Sequence, residues 1–326
     1  MMRCMDGAVR TVLERAVFSA AGATFTWADA LASAAVRDTW DELTRAASDG
    51  LACELRLAAG EEPLAPQLVV DETTAFRYAH NLIAGDDLTE WLARWALTAT
   101  EWRDQIKRSL LRKRWAADLT EIAGVFPPGD DEVGAALWPE AVCSGLLVNV
   151  CLRLAGDVAL ACETLAGIDQ KPFIRIHTEA ALLRAAAVTE AGLEREVAAR
   201  QLEWLRIEGA SMDLPAEDVA REALLCIRDD GRALEDVARD CGVIPARVSV
   251  LMADVDETLA PGLLAASDGE LLGPLARHDG FTLMVVERKA PASLNDPEVR
   301  RRAEARLVER AVERAINKYV TWHESL

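Results

Sequence analysis

The sequence lacks a long apolar run. No uninterrupted stretch approaches the ~20 residues that a membrane-spanning helix needs. The N-terminal segment MMRCMDGAVRTVLERAVF has neither the continuous apolar core nor the small-residue cleavage site of a secretory signal. These absences predict that the protein has no membrane partner and works in the cytoplasm.

Basic residues are scarce relative to acidic ones. The 326 residues include 36 lysines and arginines against 54 aspartates and glutamates, which gives a formal net charge of −18. A protein that binds nucleic acid needs a basic surface to neutralise phosphates. The charge therefore argues against a nucleic-acid partner, and it suits solubility and a cationic or neutral peptide partner.

Metal-binding and catalytic motifs are also missing. The seven cysteines form no CxxC pair, and none lies with histidines at zinc spacing. They are Cys4, Cys53, Cys143, Cys151, Cys162, Cys226 and Cys241. Buried, reduced thiols are the favoured interpretation, in keeping with a reducing compartment. There is no glycine-rich phosphate loop, nucleophile elbow, HExxH or kinase signature, so the sequence predicts no cofactor, no metal and no catalytic residue.

Helical periodicity dominates the first two thirds of the chain. Residues 26–29 (Thr-Trp-Ala-Asp) and 98–101 (Thr-Ala-Thr-Glu) fit capping boxes, in which a hydroxyl and a carboxylate satisfy free backbone amides at a helix start. Residues 6–59 are predicted to be helical, and a long helix from residue 98 ends at residues 126–129 (Phe-Pro-Pro-Gly). With 51% hydrophobic residues, the chain is long enough for two domains.

Tryptophan is concentrated near the N-terminus. Seven of the nine tryptophans lie in the first 140 residues. They are Trp27, Trp40, Trp91, Trp95, Trp102, Trp115 and Trp138. Core packing of a helical domain is the favoured explanation, and an apolar groove between helices that holds a peptide is the alternative. For that groove, Trp91, Trp95 and Trp102 are the candidate contacts.

The last segment carries the signals of one long helix. Asp296 is a candidate N-cap, and Pro297 occupies the first helical position. Apolar residues recur on one face from Val299 to about Trp322, and arginines at spacing four form a basic stripe. A solvated face explains the stripe best; contact with an acidic surface, the protein's own or a peptide's, is the alternative.

The most informative stretch is residues 269–289, GELLGPLARHDGFTLMVVERK. Asp-Gly pairs at 268–269 and 279–280 mark turns, because glycine adopts positive φ at no steric cost. Residues 281–286 are apolar, with an aromatic and β-branched residues, which predicts a buried strand. The upstream residues 219–227 are ambiguous between an apolar strand and a helix.

Residues 269–289 resemble the last hairpin of the parvulin (PpiC-type) peptidyl-prolyl isomerase domain, where a GE-x-x-GP turn precedes a G-aromatic-H-hydrophobic strand. The turn matches at residues 269–274, whereas Thr282 stands at the histidine position of the strand. Residues 220–224 (Ala-Arg-Glu-Ala-Leu) are similar to the A-R-H-I-L strand that opens the domain, with Glu222 at its histidine. On this alignment the helix that follows the opening strand is nearly absent.

The resemblance implies a lost activity and a retained pocket. Paired histidines support catalysis in the parvulin family, so their replacement by Glu222 and Thr282 implies loss of isomerase activity. The proline pocket of the family maps to Leu224, Leu259, Leu263, Phe281 and Leu283 in this chain. Residues 77–115 are also similar to the helical module of SurA-like proteins in bacterial peptide-maturation systems, where a C-terminal helix packs back on that module.

These features predict an α+β fold in three segments. Residues 1–210 form a mainly helical SurA-like domain, 211–290 a small degenerate parvulin-like sheet domain, and 291–326 a C-terminal helix that packs on the helical domain. The expected function is that of a non-catalytic accessory protein, which holds a ribosomally synthesised precursor peptide for modifying enzymes. The alternatives are an active parvulin-type isomerase, a general cytoplasmic holdase chaperone, and a structural subunit of an enzyme complex.

Overall fold

The computed structural model describes residues 7–37, 39–277 and 280–324. The chain divides into two compact units. The helical unit comprises Met1–Ala185 and Ala311–Leu326, and the sheet unit comprises Ala186–Arg310. Each unit combines helices with one small antiparallel sheet, which confirms the predicted α+β class. The predicted boundary at residue 210 falls inside a strand.

The described secondary structure is as follows. The helices are α1 Gly7–Leu13, α2 Trp27–Ala35, α3 Thr39–Ala58, α4 Pro66–Ala79, α5 Asp87–Arg94, α6 Ala99–Arg114, α7 Leu119–Val125, α8 Asp130–Cys143, α9 Leu146–Ala161, α10 Phe173–Ala187, α11 Glu190–Ala199, α12 Glu217–Arg228, α13 Leu234–Asp240, α14 Ala260–Ala265 and α15 Pro297–Tyr319. The strands are β1 Ala16–Ala20, β2 Ala23–Thr26, β3 Arg206–Leu214, β4 Ala246–Leu251, β5 Leu271–Arg277, β6 Gly280–Ala290 and β7 Val320–Trp322.

Both predicted capping boxes are present. At the start of α2, the Thr26 amide donates to the Asp29 carboxylate (2.8 Å), and the Asp29 amide donates to the Thr26 hydroxyl (3.3 Å). At the start of α6, the Thr98 amide donates to Glu101 (2.7 Å), and the Glu101 amide donates back to the Thr98 hydroxyl (3.2 Å). Each box satisfies backbone donors that a helix start leaves free.

The prediction of helix throughout residues 6–59 is wrong at the β1–β2 hairpin. Ala21 and Gly22 both have positive φ, 48° and 80°, and this conformation closes a tight turn between two antiparallel strands. The rings of Phe18 and Phe25 stack across the strands with centroids 4.7 Å apart. The apolar residues here alternate with period two, which favours a strand over a helix.

The third strand of this sheet comes from the far end of the chain. β7 pairs with β1, and Trp322 lies opposite Phe18. The helix expected to reach about Trp322 therefore ends at Tyr319. The sheet order β2-β1-β7 joins the two chain segments of the helical unit.

Aromatic side chains fill the core of the helical unit. Trp27, Trp95, Trp102 and Trp138 are buried in its largest apolar cluster, and Trp115 is buried in a second cluster with Leu111 and Ile122. This burial agrees with the core-packing explanation of the tryptophan content. It also removes most of these rings from any surface that a partner can reach.

The C-terminal helix α15 begins in the sheet unit and ends in the helical unit. The Asp296 carboxylate accepts from the backbone amides of Glu298 (2.9 Å) and Val299 (3.4 Å), so Asp296 is the N-cap that the sequence predicts. In the helical unit, the distal part of α15 packs beside α9 and α10, with Ala315 in a cluster that includes Ala159 and Ala180. The segment from Ala311 onward thus belongs to the helical unit.

The basic stripe of α15 pairs with the protein's own carboxylates. Arg302 donates to Asp254 (2.5 Å) and to Glu298 (2.9 Å), and Arg310 forms an ion pair with the buried Glu196. Contact with an acidic surface, the less favoured explanation of this stripe, therefore holds for these two arginines.

The sheet of the other unit has the order β4-β3-β6-β5, and all of its strands are antiparallel. Successive side chains of a strand point to opposite faces. Met212 and Leu283 pack with α12 and α13 on one face, whereas Met284 and Val286 pack with Leu263 of α14 on the other. The sheet therefore lies between two helical layers.

The strand that the parvulin alignment placed at residues 220–224 is wrong. These residues belong to α12, in which Ala220 and Ala223 recur at helical spacing and face the core. The first strand of the sheet is β3 instead. A helix, α12, does follow this strand, so the expectation that such a helix is nearly absent is also wrong.

The described residues also bear on the predictions about cysteines and membrane-spanning helices. Six cysteines are free thiols, and Cys4 lies outside the described part of the chain. Among the described residues no single helix has the length and apolarity to cross a membrane, although the bent pair α8 and α9 together meets those two criteria.

Candidate functional site

The candidate site lies where three strands of the larger sheet end together. β3 ends at Leu214, β5 ends at Arg277 and β6 begins at Gly280. Asp213 pairs with Thr282, and Leu214 pairs with Phe281. These ends surround a depression of about 440 Å³. Its lining consists of Asp213, Leu214, Pro215, Arg277, Gly280, Phe281 and Thr282.

Close packing explains two glycines of the β5–β6 hairpin. Gly280 has φ +144°, and a Cβ at this position would lie 2.3 Å from the carbonyl oxygen of Leu214. Gly273 has φ +133°, and a Cβ there would lie 2.5 Å from the Leu283 side chain. Both backbones therefore need glycine for conformation and for space. The predicted turn residue Asp279 lies outside the described residues.

A carboxylate and a hydroxyl form the polar pair of the site. The Thr282 hydroxyl donates to Asp213 Oδ1 at 2.5 Å, and Arg277 Nη1 lies 3.6 Å from the same oxygen. Thr282 is 7% exposed, whereas the Asp213 side chain is 70% exposed. Water therefore still solvates the carboxylate, while the hydroxyl is committed to it.

The assignment of Glu222 to this site is wrong. Glu222 is exposed on α12 because the segment forms a helix and not the opening strand. Asp213 is the residue that lies opposite Thr282 on β3. The sequence signal that was missed is the odd pattern of β3, where Gly209, Ser211 and Asp213 interrupt the apolar residues.

The five pocket residues predicted from the parvulin alignment separate between the two faces of the sheet. Leu259 and Leu263 lie in the cluster around α14, and Leu263 is buried there. Leu224, Phe281 and Leu283 lie in the cluster beneath α12 and α13, and Leu283 is fully buried. Phe281 lines the depression. The accessible members of the set are thus Leu224, Leu259 and Phe281.

The three tryptophans predicted to contact a peptide differ in exposure. Trp95 and Trp102 are 5% and 4% exposed, and the Trp95 carbonyl accepts from the Trp138 indole at 2.8 Å. Trp91 is half-buried and packs edge to face with Phe76 at a centroid distance of 5.4 Å. Trp91 is the accessible ring of the three.

The outer strand β4 is the second feature of the site. It pairs with β3 on one side and forms one end of the sheet order. Val248 and Val250 are half-buried and pack against the apolar cluster around α14, as does Leu259. An outer strand offers free backbone groups along its open side, and apolar neighbours provide contacts for alternate side chains of an added strand.

Histidine is the side chain that most often serves acid–base and metal chemistry near neutral pH. His80, His177 and His323 belong to the helical unit, and His278 lies outside the described residues. Within the described chain, no three His, Cys, Asp or Glu side chains are grouped to hold a metal ion. What the arrangement offers is a shaped apolar and polar surface.

Comparisons with known proteins give structural similarities alone. No family model matches the chain, and no curated protein matches it. Among solved structures, PrsA from Bacillus subtilis is 12% identical, with a TM-score of 0.24 over 94% of this chain and 91% of that one. The foldase protein PrsA from Lactococcus lactis is 11% identical, with a TM-score of 0.31 over 95% and 96%.

A third similarity is to a structure from a description of SurA-like chaperones of Campylobacter jejuni. It is 10% identical, with a TM-score of 0.21 over 96% of this chain and 100% of that one. All three TM-scores are below 0.5. The account of the site therefore rests on the topology and contacts of this chain.

Proposed function

We propose that this chain is a non-catalytic, chaperone-like protein that binds an extended peptide on its larger sheet. The observation that carries the proposal is the outer strand β4, with the half-buried Val248 and Val250 beside an apolar cluster. A peptide that adds to this strand gains backbone hydrogen bonds, and every second side chain of it gains apolar contacts.

The absence of isomerase activity is part of the proposal. Rotation about the peptide bond has a barrier of ~18–20 kcal/mol without a catalyst, and a catalyst must fix the geometry of the twisting bond. Thr282 and Asp213 stand opposite each other at the relevant strand positions. The Thr282 hydroxyl donates to the hydrated carboxylate, and neither residue is a histidine of the kind that supports catalysis in the parvulin family, which favours binding over catalysis.

The finer proposal concerns the peptide and the compartment. We infer a cytoplasmic role in which the protein holds a ribosomally synthesised precursor peptide for modifying enzymes. The net charge of −18 supports a neutral or cationic peptide. The resemblance of the hairpin at residues 269–289 to a proline-peptide-handling domain supports an extended conformation of the bound segment.

Isothermal calorimetry tests peptide binding. The probe is the short peptide encoded nearest to this gene, and a scrambled peptide of the same composition is its control. We expect saturable binding of the native order at a Kd of about 1 μM or below, which corresponds to about −8 kcal/mol. Equal binding of both peptides would instead favour a general holdase, and no binding would favour a structural subunit.

A pair of variants tests the location on β4. Val248→Asp puts a charge beside the apolar cluster, and Ser249→Asp puts the same charge on the opposite, exposed face, near Arg206. We expect Val248→Asp to weaken binding about tenfold or more and Ser249→Asp to change it less than about twofold. Equal effects of the two variants would show that the peptide does not bind on β4.

A further inference from the structure

Among the described residues, the charged groups that line one cavity of the helical unit are two arginines and one glutamate. This cavity has a volume of about 480 Å³, and its lining includes Arg37, Arg153 and Asn149. Leu146 and Val150 of α9 supply an apolar wall, and the exposed Glu42 lies at its border. The cavity therefore combines two guanidinium groups, an amide and apolar side chains.

Arg37 belongs to a buried ionic cluster that is short of carboxylates. The Asp157 side chain is fully buried and forms ion pairs with Arg37 and Arg184, the latter at 2.5 Å, while His177 Nδ1 lies 2.6 Å from it. Arg153 adds a further positive charge beside Arg37. Among the described residues, two arginines therefore share the one buried carboxylate, Arg153 lies near them, and Glu42 is the acidic group in the cavity lining.

The titration of the cluster agrees with this charge count. Burial, together with the neighbouring Arg153 and Arg184, lowers the pKa of Arg37 to about 10. Burial and the same arginines, with Arg37, lower the pKa of His177 to about 4, so this imidazole is neutral at pH 7. Both directions are those that burial produces first and neighbouring positive charge produces second. An anion in the cavity would relieve the repulsion.

We propose that this cavity binds the carboxylate of a ligand that also carries an apolar side chain, namely the C-terminal residue of a peptide. Arg37 and Arg153 attract the carboxylate, Asn149 supplies a neutral hydrogen-bonding group, and Leu146 and Val150 contact the side chain. A guanidinium favours carboxylates because its planar donors match their oxygens. The inference rests on the proposed function for the identity of the occupant as a peptide.

A small probe tests the cavity without the full peptide. N-acetyl-L-leucine carries a free carboxylate and an apolar side chain, and N-acetyl-L-leucinamide is the same molecule without the charge. Saturation-transfer NMR on the full chain measures the binding of each. We expect the acid to bind at least about tenfold more tightly than the amide.

The matched variants are Arg153→Gln and Arg175→Gln. Arg153 lines the cavity, whereas Arg175 is an exposed arginine on α10. Both changes remove one surface charge, so thermal denaturation should show intact folding for both. We expect Arg153→Gln to weaken binding of the acid about tenfold and Arg175→Gln to leave it within about twofold.

Several outcomes would overturn the inference. Equal binding of the acid and the amide would show that the site does not recognise the carboxylate. Equal effects of the two arginine variants would show that the probe does not bind in this cavity. Acetate that binds as tightly as N-acetyl-L-leucine would remove the apolar contact. A long peptide that binds equally with a free and an amidated C-terminus would overturn this site while leaving the proposed function intact. Binding of N-acetyl-L-leucine without binding of any peptide would overturn the proposed function while leaving this site intact.

Discussion

The two units of the molecule differ in how far their chemically informative side chains are buried. In the helical unit, Trp95, Trp102 and the carboxylate of Asp157 are enclosed in the core. In the sheet unit, Val248 and Leu259 stay half-buried, and Asp213 remains in water. A high tryptophan content is thus a poor guide to a binding surface when the rings are buried in the core.

The polar pairs of the two units differ in the same way. Glu140 is 2% exposed, and it accepts from Gln105 at 2.5 Å and from Arg112 at 2.9 Å. Such a buried network is destabilised strongly when one partner is lost. The pair of Thr282 and Asp213 has water as a substitute partner. The buried groups of the helical unit should therefore respond to substitution mainly in stability, whereas the exposed Asp213 should contribute little to stability.

The largest expected effect is at a buried ring. Trp102→Ala should reduce the free energy of unfolding by about 3–5 kcal/mol, because it removes an aromatic core side chain and leaves a cavity. Urea denaturation followed by circular dichroism measures this loss. Trp91→Ala is the control, and its half-exposed ring should cost clearly less. Equal losses at the two positions would show that core and surface tryptophans do not differ in their contribution to the free energy of unfolding.

A similar loss is expected at the buried carboxylate. Asp157→Ala should destabilise the protein by about 3–5 kcal/mol, since it leaves Arg37 and Arg184 without their buried partner. The matched variant Asp213→Ala should cost about 1 kcal/mol or less, because Asp213 is exposed. The same denaturation series compares them. If Asp213→Ala proves the more damaging change, the assignment of the stabilising ionic cluster to the helical unit is wrong.

An intermediate effect is expected from acid. The folded-state pKa of His177 is about 4, below its usual value of 6.5, so the unfolded chain binds more protons between these values. Stability should therefore be complete above about pH 6.5 and should fall as the pH is lowered, by about 1–2 kcal/mol at pH 5. Unfolding measured at several pH values checks this slope.

The variant His177→Gln separates this group from others. It should remove most of the loss between pH 6.5 and 5. A residual slope of the same sign is expected, because burial also lowers the pKa of His80. An unchanged slope in the variant would show that His177 does not titrate as its surroundings require.

The smallest expected effect is at the candidate site. Thr282→Val removes the donor to Asp213 and should cost only about 0.5–1.5 kcal/mol, since the carboxylate can bind water instead. Peptide affinity measured by calorimetry should change less than about twofold, because Thr282 is a buried support of the depression. A loss of affinity larger than tenfold would make the hydroxyl a direct peptide contact.

Local signals in the sequence predicted local structure well. The capping boxes at Thr26 and Thr98, the N-cap Asp296 and the strand after Gly280 are all present. Each of these depends on residues within a few positions of one another. Such patterns specify backbone hydrogen bonds directly, so they can be recognised without knowledge of the rest of the fold.

Structure that depends on distant partners was harder to predict. β3 contains Gly209, Ser211 and Asp213, and its strand conformation comes from pairing with β6 some seventy residues later. The apolar segment of α12 had a strand-like composition, and its helical packing was decided by the sheet beneath it. The error over Glu222 followed from that choice. The position opposite Thr282 therefore required the three-dimensional register.

The central claim is that the sheet unit binds a peptide without accelerating prolyl isomerisation. Exchange NMR on the same sample, with a peptide that contains an Ala-Pro bond, measures binding and cis–trans exchange together. The account predicts saturable shifts of the peptide resonances on addition of the protein, with an exchange rate equal to that of the free peptide. An accelerated exchange that Thr282→Val or Asp213→Ala abolishes would contradict it.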